Sequence, residues 1–203
     1  MNRRRSFLQG LLALAGVSST EQVVAAEQAG PSAEKVGRAG AGAGLPLLFA
    51  YRTLVIRFSP ASAPGATITF AGDDVGTVEG ILSGALIQTF TVTVNTTTGA
   101  ATTGPDKALF TDLDRDQISF EYAGTGTFLP PSNLSKLMSA GGSLAVTYTV
   151  LDASGKYQFL IGRQFPAAVI ATNAVNASSG VAGCVYAEVY AHDAKAIKKT
   201  LGS

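Results

Sequence analysis

Apolar and polar side chains alternate through most of the chain after residue 45, and this alternation predicts β-strands. The clearest case is Ala85–Asn95, where Phe90, Val92 and Val94 alternate with threonines. A period of two turns one face of a strand toward a core and the other away from it. Strands are predicted at Tyr51–Ser59, Ala66–Ala71, Val75–Leu82, Ala85–Asn95, Gln117–Tyr122, Ser143–Leu151, Lys156–Arg163, Ala167–Val175 and Val181–Ala191, with a short strand or bridge at Lys107–Thr111.

Segments rich in glycine, proline and small polar residues separate these strands and predict turns or loops. Gly72-Asp73-Asp74 is predicted to be a turn between two strands, and Thr96–Asp106 a loop. Pro130-Pro131 ends a strand, and a short helical turn is predicted for Ser132–Met138. Asp152–Gly155 is short enough for a hairpin, so the strands beside it are expected to pair antiparallel.

The order of these elements predicts an all-β fold. Eight or nine strands follow one another without a long helix, which excludes a parallel α/β sheet. The second face of many strands carries Thr, Gln, Glu and Tyr, as a semi-polar lumen would. We therefore expect an antiparallel eight- or nine-stranded β-barrel, with a β-sandwich as the alternative.

The first 26 residues have a different pattern. Arg4-Arg5-Ser6-Phe7-Leu8 precedes an apolar run, Leu11–Val17, that is too short to span a membrane. Val24-Ala25-Ala26 has the small residues of a cleavage site. The segment resembles the twin-arginine export signals of bacteria. The resemblance implies folding in the cytosol, export by the twin-arginine machinery, membrane contact only during export, and a periplasmic or secreted location.

These patterns divide the chain into four parts. Residues 1–26 are a twin-arginine-type signal peptide, and 27–44 a flexible linker rich in Ala and Gly. The signal and linker are expected to be disordered. Residues 45–192 form the β-barrel domain, and 193–203 a C-terminal tail with three lysines.

Composition narrows the functional classes. The 203 residues carry 14% charged side chains and a formal net charge of +1, with no basic stripe, so the sequence predicts no nucleic-acid partner. The single cysteine, Cys184, cannot form an internal disulfide, in keeping with folding in a reducing cytosol. Only His192 could activate its thiol, but in an extended strand the two lie about 26 Å apart. We interpret Cys184 as a small apolar residue.

An acidic run suggests one metal site. Asp112, Asp114 and Asp116 have the alternate spacing of calcium-loop carboxylates. The rest of that pattern fails, because Gln117 stands where the loop glycine belongs and Ala123 where the bidentate glutamate belongs. We interpret the run as a polar turn leading into a strand, with metal binding as the weaker alternative.

Acid–base chemistry has a few candidates. Glu79, Glu121 and Glu188 lie in predicted strands, and Tyr122 follows Glu121 directly. A carboxyl buried in a lumen has a raised pKa and can exchange a proton near neutral pH. The candidate ligand-binding residues are the tyrosines Tyr148, Tyr157, Tyr186 and Tyr190. The sequence has no phosphate loop, zinc pattern or Ser-His-Asp set, so no cofactor is predicted.

Three short motifs suggest a kind of barrel. The predicted strands are interrupted or separated by Gly124-Thr125-Gly126, Gly141-Gly142 and Gly155-Lys156-Tyr157. With them, Val75–Val189 resembles the allene oxide cyclase-like and dirigent-like barrels. The resemblance implies an eight-stranded antiparallel barrel with an apolar ligand cavity.

Three functions follow from these observations. The first is an exported, non-enzymatic barrel that binds a small apolar ligand or a partner surface. The second is a cofactor-free isomerase or cyclase acting on an apolar substrate in the lumen. The third is a structural surface or assembly protein, with a filled barrel and a self-complementary strand edge. The sequence leaves the oligomeric state open, including a homo-oligomer.

Overall fold

Eight antiparallel strands close into a barrel in this computed structural model. It describes residues 44–60, 66–128, 140–176 and 180–202, which all belong to one compact unit, Ser32–Ser203. The strands are β1 (Leu47–Pro60), β2 (Thr67–Gly80), β3 (Gly84–Asn95), β4 (Ala100–Asp112), β5 (Gln117–Phe128), β6 (Ala140–Ala153), β7 (Gln164–Asn176) and β8 (Gly180–Tyr190). A 3-10 helix, Gly155–Leu160, lies between β6 and β7, and helix α1, Ala194–Leu201, follows β8.

Each strand pairs with the next, and β8 returns to pair with β1. At the closing seam Thr53 lies opposite Val185, and Tyr51 opposite Ala187. The barrel prediction is therefore confirmed, and the β-sandwich alternative is excluded. Closure gives both sides of every described strand a hydrogen-bonding neighbour, so these strands present no open edge for assembly.

Strand β2 corrects the predicted turn at Gly72-Asp73-Asp74. The strand runs straight through this segment, with Asp74 opposite Gln88 of β3 and Val55 of β1. Glycine and aspartate are poor strand formers, but two flanking strands supply hydrogen-bonding partners and override that preference. At Gly72 a Cβ would lie 2.2 Å from the Arg57 carbonyl oxygen, so the close approach of β1 requires glycine.

The loop predicted at Thr96–Asp106 was wrong over most of its length. Most of the predicted loop Thr96–Asp106 belongs to β4, which begins at Ala100. Its register against β5 shifts between Thr103 and Asp106, around the cis peptide Gly104-Pro105. This irregularity interrupts the alternation on which the prediction depended.

The predicted strand Lys156–Arg163 is instead the 3-10 helix and the turn after it. Tyr157 and Leu160 of this helix are buried, whereas Phe159 and Ile161 are exposed. A spacing of three thus puts two apolar side chains on one face, as a 3-10 helix requires. The predicted Pro130-Pro131 break and the helical turn Ser132–Met138 lie outside the described residues, as do the export signal and residues 27–43 of the linker.

The two ends of the barrel differ. At the end that we call the plugged end, Leu82, Tyr157, Leu160 and Ile197 are almost fully buried. The opposite end, the loop end, carries the β1–β2, β3–β4, β5–β6 and β7–β8 connections. Helix α1, in the predicted C-terminal tail, contributes Ile197 and Ala194 to the plug. The apolar core therefore closes the barrel at the plugged end.

Candidate functional site

A polar cluster lies inside the barrel, surrounded by apolar side chains. Alternation along the strands points five residues of this cluster inward: Tyr51, Asp74, Gln88, Tyr122 and Tyr148. Asp74 and Gln88 are direct neighbours on β2 and β3, and Tyr122 and Tyr148 are direct neighbours on β5 and β6. The curvature of the closed sheet brings Tyr51 of β1 to the same level from the other side.

Hydrogen bonds connect four of these side chains. Gln88 Nε2 donates to Asp74 Oδ2 at 2.9 Å, and the Tyr51 and Tyr148 hydroxyl groups are 2.6 Å apart. The Tyr148 hydroxyl group lies 3.5 Å from Gln88 Oε1, a longer donation. Tyr122 instead donates its proton to the Thr89 carbonyl oxygen at 2.8 Å. The cluster is thus a chain from Asp74 through Gln88 and Tyr148 to Tyr51.

Asp74 is the unusual member of the cluster. Its side chain is fully buried, and burial raises its pKa to about 7. The Gln88 amide and the Thr53 hydroxyl group oppose this increase, because both favour the charged carboxylate. Asp74 Oδ1 and Thr53 Oγ1 nevertheless complete no hydrogen bond among the described residues. The carboxyl group can therefore exchange a proton near neutral pH and has an acceptor atom to spare.

The tyrosines of the cluster stay protonated. Burial raises the pKa of Tyr51, and the nearby Asp74 charge raises it further. Burial likewise raises the pKa values of Tyr122 and Tyr148 well above the ordinary value. At neutral pH these residues are hydrogen-bonding phenols rather than bases.

A cavity of about 40 Å³ adjoins the cluster. Tyr51, Asp74, Gln88 and Tyr122 contribute polar groups to it, and Thr103 adds a hydroxyl group. The remaining walls are apolar: Phe90, Val92, Phe128, Leu144, Val146, Val169, Ala171 and Val185. Most of these apolar residues lie toward the loop end of their strands, so the cavity occupies that half of the barrel, with Asp74 at its floor.

A second buried carboxylate, Asp106, has its own partners. Its Oδ2 atom accepts hydrogen bonds of 2.9 Å from the Thr103 hydroxyl group and the Thr91 backbone N–H. These bonds hold the irregular part of β4 against β3. We assign Asp106 a structural role.

The sequence-predicted catalytic residues are dispersed. Tyr122 lies in the cluster, but Glu79 is exposed and Glu121 is half-buried on the face opposite Tyr122. Glu188 is on the outer face of β8, since Ala187 and Val189 point into the core. The structure does not bring these three glutamates together with Tyr122.

The sequence-predicted binding tyrosines occupy three places. Tyr148 is in the cluster, and Tyr157 is in the plug. Tyr186 and Tyr190 lie on the outer face of β8 and donate to Glu188 Oε1 and Oε2; the bond from Tyr186 is 2.8 Å long. Only Tyr148 of these four is near the cavity.

The acidic run forms a turn. Asp112 Oδ1 accepts hydrogen bonds from the backbone N–H groups of Asp114 and Asp116, at 2.8 Å and 2.9 Å. Its Oδ2 atom contacts Lys156 Nζ at 2.7 Å and the Tyr157 hydroxyl group at 3.0 Å. Within the described ranges, no group of three or more His, Cys, Asp or Glu side chains is placed to hold a metal ion.

Cys184 is half-buried on the outer face of β8, and His192 is exposed. Burial raises the pKa of the Cys184 thiol, although Arg52 opposes the shift. A raised thiol pKa disfavours the nucleophilic thiolate. No helix within the described ranges is long and apolar enough to cross a membrane.

Sequence reasoning missed Asp74, Gln88 and Tyr51 as site residues. The sequence does indicate that Gln88 points inward, because Gln88 shares its strand face with the apolar residues Leu86 and Phe90. Asp74 was assigned to a turn, and its inward direction depends on the pairing of β2 with two other strands. No comparable signal in the sequence separates Tyr51 from the other tyrosines.

Together, fold and cavity define a closed eight-stranded antiparallel β-barrel with a small, mostly apolar pocket over a polar floor. Searches for similar proteins found no matching family model, curated protein or solved structure. The function must therefore be argued from the pocket itself.

Proposed function

We propose that this protein is a non-enzymatic barrel that binds a small, mostly apolar ligand in the pocket next to Asp74. The observation that carries the proposal is the arrangement of the pocket, with apolar walls over a floor of a few convergent polar groups. This is the usual composition of small-molecule sites. A purely structural barrel gains nothing from a buried carboxyl group beside a cavity, because burying it costs stability.

The size of the pocket limits the ligand. A single water needs roughly 10–15 Å³ of such volume, and the cavity offers about 40 Å³. That space fits a ligand of a few heavy atoms, or the end of a longer molecule whose remainder points toward the loop end.

A neutral probe tests the proposal. Butan-1-ol should receive saturation transfer from the protein's methyl groups in ligand-observed NMR. Ala171 lines the pocket and Ala145 is exposed on the adjacent strand β6, so Ala171→Leu should abolish the transfer and the matched control Ala145→Leu should retain it. No transfer with the wild-type protein, or equal transfer with both variants, would contradict the proposal.

A second candidate is a cofactor-free isomerase, favoured by one observation. Asp74 has a pKa of about 7 beside the cavity, the value that suits a general acid or base at neutral pH. Such a base would exchange the α-protons of butan-2-one with deuterium in heavy water. Exchange that the wild-type protein accelerates and Asp74→Asn does not would favour the enzyme; equal rates would favour the binder.

We also propose that the protein is exported folded, through the twin-arginine pathway, to the periplasm or beyond. The support is the Arg4-Arg5-Ser6-Phe7-Leu8 motif with its short apolar run. A domain that needs no disulfide can complete its fold in the cytosol, so a ligand could be bound on either side of the membrane.

A further inference from the structure

We propose that the pocket selects a small aliphatic amine in its ammonium form, with the charged end at Asp74 and the carbon chain toward the loop end. This inference deepens the proposed binding function and depends on it. Three observations carry it: the charge balance of the interior, the direction of its hydrogen bonds, and the aromatic side chains of the pocket.

The charge balance of the interior is one-sided. The buried charged side chains among the described residues are Asp74, Asp106 and Asp112, together with Glu188 on the outer face of β8, and none is basic. Asp112 has Lys156 as its counter-ion, and Asp106 accepts two hydrogen bonds at one oxygen. Next to Asp74 the described residues place only neutral polar groups, the Gln88 amide and the Thr53 hydroxyl, which leaves its charge without a buried cation. A ligand cation would supply that missing charge.

The hydrogen bonds of the cluster leave one carboxylate oxygen of Asp74 unused. The Gln88 amide group donates to Asp74, so its carbonyl oxygen is the atom that accepts from Tyr148. Either hydroxyl group can donate in the 2.6 Å contact between Tyr51 and Tyr148, and neither direction supplies a donor to Asp74. Asp74 Oδ1 remains as an acceptor without a donor. A ligand that fills this place must donate, as an ammonium group does and a carboxylate does not.

Aromatic side chains complete the argument. Tyr51, Tyr122, Phe90 and Phe128 all line the pocket. The negative face of an aromatic ring attracts a cation, most strongly where water is excluded. A neutral alcohol could satisfy Asp74 Oδ1 but would gain neither this attraction nor the ion pair. The same walls therefore favour an ammonium ion over an alcohol of equal length.

Matched ligands test the selectivity. Butan-1-amine, butan-1-ol and butanoate share a chain and differ in charge, and calorimetric titration at about pH 8 compares them with the amine still protonated. We expect the amine to bind at least about tenfold more tightly than the alcohol, because a desolvated ion pair is worth more than one neutral hydrogen bond. Butanoate should not bind. Asp74→Asn should reduce the amine affinity to the level of the alcohol affinity, whereas Asp73→Asn, on the outward face, should leave the amine preference unchanged.

The pH dependence of the amine affinity tests the same inference without a mutation. The titratable groups that interact with Asp74 in the lumen are Tyr51, Tyr122 and Tyr148, and Asp73 is its neighbour in the chain; the buried Asp106 acts on Tyr122. The three tyrosines remain neutral at the pH values used. Amine affinity should thus rise between about pH 5.5 and about pH 8.5 as Asp74 loses its proton, while alcohol affinity should not.

The outcomes separate this inference from the proposed function. Three results would overturn the ammonium assignment and leave the binding function standing. They are equal affinity for amine and alcohol, tighter binding of butanoate, and an amine affinity that Asp74→Asn does not change although this variant has the wild-type circular dichroism spectrum. If Asp74→Asn does not fold, a flat pH profile of amine affinity overturns the assignment instead. Binding of none of the three ligands would overturn both.

Discussion

The Asp74 carboxyl group is buried inside the barrel, and burial raises its pKa from 3.8 to about 7. In the unfolded chain the group ionises near its ordinary pKa, so between about pH 4 and about pH 7 the folded protein holds a proton that the unfolded chain has lost. The free energy of unfolding therefore falls as pH rises through this range. Each pKa unit is worth about 1.4 kcal/mol, so the whole effect is on the order of 4 kcal/mol.

Asp74→Asn should stabilise the folded protein at alkaline pH. The amide keeps the shape and the acceptor for Gln88 but cannot ionise, so we expect a free energy of unfolding about 1–3 kcal/mol above wild type at about pH 8. The difference should disappear below about pH 3, where Asp74 is protonated in both states. Urea denaturation at several pH values measures it.

Asp73→Asn is the control, since it removes the same charge one residue away. Asp73 pairs with Arg57 at 2.6 Å, and the Arg57 side chain is 73% exposed. Exposed ion pairs contribute about 0–1 kcal/mol. A similar pH-dependent gain in both variants would show that the effect does not come from burial of Asp74.

At the scale of elements, Asp112 connects two neighbouring parts of the plugged end. Its carboxylate accepts hydrogen bonds from the turn between β4 and β5, and from Tyr157 of the 3-10 helix. Burial, the largest single influence, would raise the pKa of Asp112. The hydrogen bonds from Lys156, Tyr157 and the turn together outweigh it and lower the pKa. This carboxylate therefore stabilises the fold in its charged form.

Asp112→Asn should destabilise the plugged end in the opposite pH range from Asp74. A group with a lowered pKa contributes stability above its unfolded pKa and loses it as pH falls through its folded pKa. We expect a loss of about 1–3 kcal/mol in free energy of unfolding at neutral pH, which shrinks below about pH 4. Asp114→Asn is the matched control, because the Asp114 side chain is 79% exposed. An equal loss at neutral pH in both variants would contradict the role given to Asp112.

At the scale of the whole molecule, the export proposal rests on the first residues of the chain. Replacing both Arg4 and Arg5 with lysine keeps the charge and removes the guanidinium pair. In bacteria with an active twin-arginine pathway, this double variant should accumulate in the cytoplasm, as immunoblots of cell fractions would show. The control Arg3→Lys, outside the pair, should still be exported. Export of the double variant at the wild-type level would contradict the proposal.

Much of the barrel could be predicted from local pattern. In β8, the alternation of Val185, Ala187 and Val189 with Tyr186 and Glu188 assigns each side chain to the correct face, since a strand has a period of two. Alternation of this kind along many short strands, without long helices between them, was enough to predict the antiparallel all-β class. It was also enough to favour closure over a sandwich.

The candidate site depended on contacts that local pattern does not contain. The Tyr51–Tyr148 hydrogen bond joins residues 97 positions apart, across a lumen that exists only once β8 has paired with β1. The direction of Asp74 depends on β1 and β3, which supply the backbone partners that glycine and aspartate alone would not attract. The 3-10 helix likewise forms because Tyr157 and Leu160 bury themselves in the plug.

The sequence by itself determined the strands, most of their inward faces and the all-β class, because these follow from the two-residue period of each strand. Only the tertiary structure decided which inward polar residues meet, which end of the barrel is filled, and where a cavity remains. These properties depend on the register of strands far apart in the chain. A register shift of one residue would turn Asp74 out of the lumen.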